Sequence, residues 1–245
     1  MPYQVRYDKT MSVFLTAEWR NLILVSYKVP DEVLQKYLPD NLHLDKLNGS
    51  AFVSLVAFDF INTKVKGMKM FFHLNFPEIN LRFYVNDGKR RGVMFIREFV
   101  PKPIVVLGAN FFFNENYSAA KMKSEITLGG TLKAKHEITY KGNYNFIEVE
   151  TVNKSFMPGE NSTEHFFKEH ELGFVKSRSG KTNVYKVEHP FWQVYPIKKF
   201  NINTDFGKLY GQQFSFLNKQ EPFNVTFAEG SNVKVFTAEK YSELQ

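Results

Sequence analysis

The sequence predicts a mainly β fold, a β-rich α+β domain built as a closed antiparallel β-barrel or sandwich with a few short helices. Many short apolar segments are separated by turn signals, and no regular alternation of strands with long helices is visible. The 26 phenylalanines suit strands and a thick core. The length of 245 residues fits one β domain spanning 1–245, since such domains often reach about 200–250 residues.

The first half of the chain supplies the clearest strand signals. Residues 18–29 alternate as a strand, and Pro30 opens a short helix predicted over 31–38. The Asn48-Gly49 pair predicts a hairpin turn before 51–61, a strand that is apolar on both faces. Residues 76–86 and 92–100 form a predicted hairpin around the turn at Asp87-Gly88, and Pro101 and Pro103 end it.

The second half of the chain has further strand, turn and helix signals. An apolar segment covers 104–113, and one helical turn is predicted over 118–122. A second hairpin pairs 131–139 with 144–152, and Asn161 with Glu164 resembles a capping box for a helix to about residue 171. Further strands are predicted over 182–187, 191–195 and the region 208–217.

Composition and missing motifs exclude several functions. The absence of cysteine excludes disulfides, cysteine-ligated metals and thiol catalysis, and it fits a cytoplasmic protein. The apolar segment 104–113 has about half of the roughly 20 residues that a membrane helix needs, and the N-terminus does not resemble a signal peptide. No nucleotide-binding glycine loop or metal-binding histidine motif is present, so we expect neither cofactor nor metal. The net charge of +7 is spread over scattered lysines, which disfavours nucleic acid as a partner.

Several segments carry a family resemblance, most specifically Glu-Ile-Asn-Leu-Arg at 78–82 and Gly-Val-Met-Phe-Ile-Arg-Glu at 92–98. The segments 14–22, 37–39, 49–56 and 189–192 add to the pattern. From about residue 14 to about residue 195 the chain resembles the YqjF-like bacterial proteins, a family of unknown function that is in turn distantly similar to acetoacetate decarboxylase.

The resemblance implies a closed, mostly antiparallel β structure around a deep internal pocket. In the decarboxylase a Pro-Lys-Lys segment carries the lysine that forms an iminium with the substrate. Pro101-Lys102 matches its first two residues, and Pro103 replaces the second lysine. The resemblance also matches Glu78 with a pocket glutamate and Arg20 with a pocket arginine, so Lys102 and Glu78 become candidate catalytic residues.

Iminium chemistry requires a neutral lysine, whereas the reference pKa of lysine is about 10.4. Burial or a neighbouring cation must lower that pKa, and the change to Pro103 removes the neighbouring lysine from Lys102. The alternative is a solvated lysine on a loop between two prolines.

The alternation along 76–86 places Glu78, Asn80 and Arg82 on one strand face and apolar residues on the other. Such a face lines a polar pocket or, alternatively, faces solvent. If the face lines a pocket, we expect Arg82 to bind a ligand carboxylate through two hydrogen bonds. Glu78 then either pairs with Arg82 or transfers a proton.

Four further residues complete the predicted ligand site. Arg20 lies in an apolar strand and needs a partner, and Arg97 and Glu98 face opposite ways, so at most one of them reaches a pocket. His73 lies just before the predicted strand 76–86, at a candidate pocket mouth, and Trp192 lies in the predicted strand 191–195.

We therefore expect a small-molecule ligand, anionic or carbonyl-bearing, as the partner, with no membrane. Three functions stay open: a keto-acid decarboxylase-like enzyme acting through Lys102, a non-catalytic binding or sensing domain, and a basic nucleic-acid or protein interaction domain. The sequence leaves the oligomeric state open, a homo-oligomer included.

Overall fold

The computed structural model describes residues 11–69, 74–112, 116–176 and 181–241. The strands are β1 (Val13–Val29), β2 (His43–Leu44), β3 (Ala51–Val65), β4 (Met68–Lys69), β5 (Phe76–Asn86), β6 (Arg91–Val100), β7 (Tyr117–Ala119), β8 (Lys121–Leu128), β9 (Thr131–Tyr140), β10 (Asn143–Val152), β11 (Leu172–Lys176), β12 (Thr182–Glu188), β13 (Val194–Tyr195), β14 (Ile197–Asn203), β15 (Asn224–Phe236) and β16 (Glu239–Lys240). The helices are α1 (Asp31–Gln35), α2 (Pro103–Phe112), α3 (Thr163–Lys168), α4 (Phe206–Tyr210) and a 3-10 helix (Gln212–Lys219).

The large sheet closes into a ring. Its order is β15, β1, β3, β5, β6, β11 and β12, and β12 pairs again with β15. Every neighbouring pair in this ring is antiparallel except β6 with β11, which is parallel. The predicted fold class, a closed and mostly antiparallel β structure with short helices, is confirmed.

A second antiparallel sheet, in the order β14, β10, β9 and β8, covers the outside of the ring. The larger hydrophobic core lies between the two sheets, where buried side chains of β1, β3 and β5 pack against those of β9 and β10. A smaller core fills part of the inside of the ring and contains Phe166 and Phe167 of α3. Because both faces of the ring sheet are covered over this region, residues 51–60 are all buried, as the continuous apolar pattern predicted.

Alternate residues of β5 face these two environments. Ile79, Leu81 and Phe83 pack into the core between the sheets, whereas Glu78 and Arg82 point into the ring. The hairpin of β5 with β6 and that of β9 with β10 are both present, and their turns fall where the sequence predicted them.

Several predicted elements were wrong. Residues 118–122 are not a helical turn but the end of β7 and the start of β8. Residues 208–217 are not strands: Asp205 caps α4 by accepting a hydrogen bond from the backbone N–H of Lys208, and the 3-10 helix follows. Helix α3 starts after Ser162, not Asn161, and ends at Lys168, before the predicted residue 171.

Other boundaries also differ. Residues 104–112 of the apolar segment 104–113 belong to α2, and residue 113 lies outside the described residues. Within 191–195 only Val194 and Tyr195 form a strand. Strand β15, which the sequence analysis left unassigned, closes the ring beside β1. Among the described residues, no helix combines the length and apolar character needed to cross a membrane.

Candidate functional site

A cavity of about 590 Å³ lies inside the ring. Inward-facing residues of β1, β3, β5 and β6 form one part of its wall, and residues of β11, β12 and α2 form most of the rest. Apolar side chains dominate the wall. Besides the two tryptophans, the polar and titratable part is confined to a few residues: Thr63, Glu78, Asn80, Arg82, Glu98, Tyr117, His170 and Tyr185.

Glu78 is the central polar group of this wall. Its carboxyl group is held by two donors: Asn80 Nδ2 donates to Oε1 at 2.9 Å, and the Tyr117 hydroxyl donates to Oε2 at 3.0 Å. Only 3% of Glu78 is exposed, and this burial raises its pKa to about 7, although both hydrogen bonds and the charge of Arg82 act to lower it. The carboxyl group therefore holds and releases a proton near neutral pH.

Arg82 joins the cavity wall to helix α3. Its Nη2 donates to the backbone carbonyl of Phe167 at 2.8 Å, and its guanidinium lies 5.9 Å from the Tyr84 ring centre. Phe166 and Phe167 fill the ring interior beside Tyr84, with ring centres 5.4 Å from it. Helix α3 therefore occupies part of the ring interior on the Arg82 side.

Arg97 and Glu98 face opposite sides of β6. Glu98 pairs in register with Asn80, is 2% exposed and lines the cavity. Arg97 pairs with Leu81 on the outer face, and its Nη1 donates to the carbonyl of Leu209 at 2.8 Å. Of these two neighbours the carboxylate, and not the arginine, therefore reaches the cavity.

His170 and the two tryptophans also line the cavity. The pKa of His170 lies well below its usual value because of burial, and then because of the charges of Arg82 and Arg91, so its imidazole is neutral at pH 7. The Trp192 indole donates to Ser231 Oγ at 2.8 Å and stacks on His189. The neutral His170 thus lies in the same wall as Arg82, the one arginine among the described lining residues.

The remaining predicted site residues lie elsewhere. Arg20 pairs with Glu18 at 2.8 Å and donates to the carbonyl of Gly230 at 3.3 Å, away from the cavity. Lys102 is partly exposed just before α2, where its carbonyl accepts the N–H of Val105 at 3.0 Å, and it does not line the cavity. His73 lies outside the described residues.

The structure thus brings together Glu78, Asn80, Arg82 and Trp192 among the predicted residues. Glu98, Tyr117 and His170 were missed. Strand alternation alone placed either Arg97 or Glu98 inward, and the β-bulge at Ile96 of β6, opposite Leu81 and Arg82, decides between them. Tyr117 directly precedes residues 118–122, which the sequence wrongly predicted as a helical turn, and no sequence pattern marked His170 as inward-facing. Among the described residues, no three His, Asp or Glu side chains converge closely enough to hold a metal ion.

The comparison with protein families decides the classification. The model of DUF2071, an uncharacterized conserved protein, matches residues 16–232. The chain belongs to this family. Within curated proteins it is similar to the uncharacterized protein YqjF of Bacillus subtilis strain 168, with 32% identity over 108 residues, which is 44% of this chain and 45% of YqjF. The chain thus matches under half the length of that relative.

Solved structures resemble the DUF2071 fold at low sequence identity. An acetoacetate decarboxylase-like enzyme from Sphingomonas wittichii RW1 has a TM-score of 0.66 at 10% identity and covers 100% of this chain and 99% of its own. Acetoacetate decarboxylase from Legionella pneumophila has a TM-score of 0.63 at 11% identity, covering 99% and 92%. The enduracididine biosynthesis enzyme MppR, complexed with pyruvate, has a TM-score of 0.64 at 9% identity, covering 98% and 93%. These likenesses show that the fold is of the acetoacetate-decarboxylase type.

Proposed function

We propose that this protein binds a small, uncharged, carbonyl-bearing organic molecule in the cavity and that Glu78 exchanges a proton with it. The observation that supports this most is the Glu78 carboxyl group, which is buried in the cavity wall, held by Asn80 and Tyr117, and shifted to a pKa of about 7. A carboxyl group with this pKa is half protonated at neutral pH, which is the condition that suits a general acid or base.

The charges of the wall favour a neutral ligand over an anion. Two buried carboxyl groups, Glu78 and Glu98, line the cavity together with one arginine, and no lysine is among the described lining residues. Arg82 already donates to the carbonyl of Phe167. A carboxylate ligand would be desolvated beside two carboxyl groups, which disfavours its charged form.

The solved structures of similar fold support a ligand that carries a carbonyl group. MppR has been crystallised with pyruvate, a carbonyl compound, in a fold of the same type. The iminium route at Lys102 stays an untested alternative, which rests on the sequence resemblance because Lys102 does not line the cavity.

In the proposed step, the carboxylate of Glu78 removes a proton from the carbon beside the carbonyl group. The electron pair of that C–H bond forms the C=C bond of an enolate, and the negative charge moves to the carbonyl oxygen. The proton stays on Glu78 until it returns to carbon or exchanges with water.

The test is deuterium exchange. Ketones and aldehydes are incubated with the protein in D₂O, and deuterium at the carbon beside the carbonyl group is followed by mass spectrometry. We expect Glu78→Gln to lower the catalysed exchange about 100-fold or more. Glu160→Gln, which removes an exposed carboxyl group, serves as the matched control.

Two results would contradict the proposal. Exchange that survives in Glu78→Gln would exclude Glu78 as the proton carrier. Ligands that raise the melting temperature without any exchange in the unmodified protein would leave a binding or sensing domain, the second function that the cavity supports.

A further inference from the structure

The volume and lining of the cavity point to the class of ligand. We infer that the carbonyl compound carries a long apolar chain or ring system that extends from Glu78 toward helix α2; this inference rests on the proposed function. At about 30 Å³ each, roughly 20 water molecules would occupy a space of 590 Å³. A keto acid the size of pyruvate would leave most of that space unfilled.

An aromatic wall lies on one side of Glu78. Phe76 precedes Glu78 by two residues on the same strand face and stacks on Phe60, with ring centres 4.8 Å apart. The Trp19 ring lies 5.1 Å from that of Phe58 and 5.9 Å from that of Phe60. This wall offers a ligand apolar contact and few hydrogen-bond partners, so it suits a hydrocarbon body.

The direction of the apolar body follows from the position of α3. This helix occupies the ring interior on the Arg82 side, where Arg82 and Tyr84 donate hydrogen bonds to the carbonyl of Phe167. Strand β6 runs antiparallel to β5, so its last residues lie toward the Phe76 end, and the chain continues from there into α2. A ligand whose carbonyl group meets Glu78 can therefore extend toward Phe76 and α2.

Helix α2 forms the mouth of the cavity. Ile104 and Leu107 both line the cavity, yet they are 51% and 71% exposed, so the cavity reaches the surface between them and the ring. Gly108 also lines it, and a Cβ atom added there would meet no atom within 4 Å. The small residue keeps the passage open beside two apolar ones.

A series of methyl ketones of increasing length, from acetone to 2-dodecanone, tests the inference. Trp19 and Trp192, the two tryptophans of the chain, both line the cavity, so the tryptophan emission reports occupancy of the site itself. We expect Kd to fall about fourfold for each methylene group added, until the chain reaches the mouth, because each buried methylene contributes a constant transfer free energy.

Gly108→Leu is the decisive variant. It places a side chain in the open space at the mouth and should raise Kd for the long ketones at least tenfold, while helix propensity favours leucine over glycine at this position. Gly159→Leu, at a loop glycine with equally open surroundings outside the cavity, is the matched control and should bind like the unmodified protein.

A Kd that does not depend on chain length would overturn the inference, and so would tighter binding of fatty-acid anions than of the matching ketones. The outcome is separable from that of the proposed function. Long ketones that bind without deuterium exchange would support the ligand class and contradict the proton role of Glu78. Exchange with acetone or pyruvate but no binding of long ketones would support the proton role of Glu78 and contradict the ligand class.

Discussion

Replacing Glu78 by glutamine should remove a pH-dependent contribution from the stability of the fold. The side chain keeps its size and can still accept the hydrogen bond that Asn80 donates to Oε1. The two side chains differ in titration. Burial raises the pKa of Glu78 from 4.5 to about 7, whereas glutamine does not titrate. The unmodified protein therefore has a stability term that the variant lacks.

The sign and size of this term follow from linkage. Below pH 4.5 the carboxyl group is protonated in both the folded and the unfolded chain, and its contribution is fully present. Between pH 4.5 and about 7 the unfolded chain releases its proton while the folded chain keeps it, so stability falls as the pH rises. Over the range from pH 5 to pH 8 the loss amounts to about 2–3 kcal/mol.

The assay is urea unfolding of the unmodified protein and Glu78→Gln at several pH values between 5 and 8. As the pH rises from 5 to 8, the unmodified protein should lose about 2–3 kcal/mol of unfolding free energy relative to Glu78→Gln. Glu160→Gln should follow the unmodified protein. Parallel pH profiles for the unmodified protein and Glu78→Gln would refute the reasoning, since they would mean that Glu78 has an ordinary pKa.

Three further predictions concern single positions. Gly230→Ala should lower the free energy of unfolding by at least about 1–3 kcal/mol, since φ is +83° and a Cβ atom would lie 1.9 Å from the Trp19 carbonyl oxygen; urea unfolding measures it. Phe167→Ala should cost about 3–5 kcal/mol in the same assay, because Phe167 is fully buried against Tyr84. Borohydride reduction with keto acids should leave Lys102 unmodified in peptide mass spectra, and an adduct there would instead establish the iminium route.

Strand alternation and turn signals carried most of the correct predictions. The period-two pattern of β5 placed Glu78, Asn80 and Arg82 inward, because one face of that strand meets the core between the sheets. The turn at Lys141 and Gly142, both at positive φ, was equally readable, since it joins two alternating strands of matching length.

Residues whose position depends on contacts distant in sequence were not predictable in this way. A single β-bulge sets which of Arg97 and Glu98 faces the cavity, and no local pattern marks it. Residues 208–217 are apolar enough for strands, but the capping bond from Lys208 to Asp205 starts a helix there. The pairing of Arg20 with Glu18 satisfies a charge that the sequence alone left without a partner.

The way in which the ring closes has a consequence for the order of folding. Strands β1, β3, β5 and β6 follow one another along the chain and share long ladders, whereas the β11–β12 hairpin joins β6 through one residue pair and β15 through two. We expect this hairpin to dock last and its amide hydrogens to exchange with solvent before those of β3. Leu172, Tyr185 and Val187 of the same hairpin line the cavity. A ligand bound in the cavity should therefore slow the exchange of the hairpin amides, because it stabilises the closed ring.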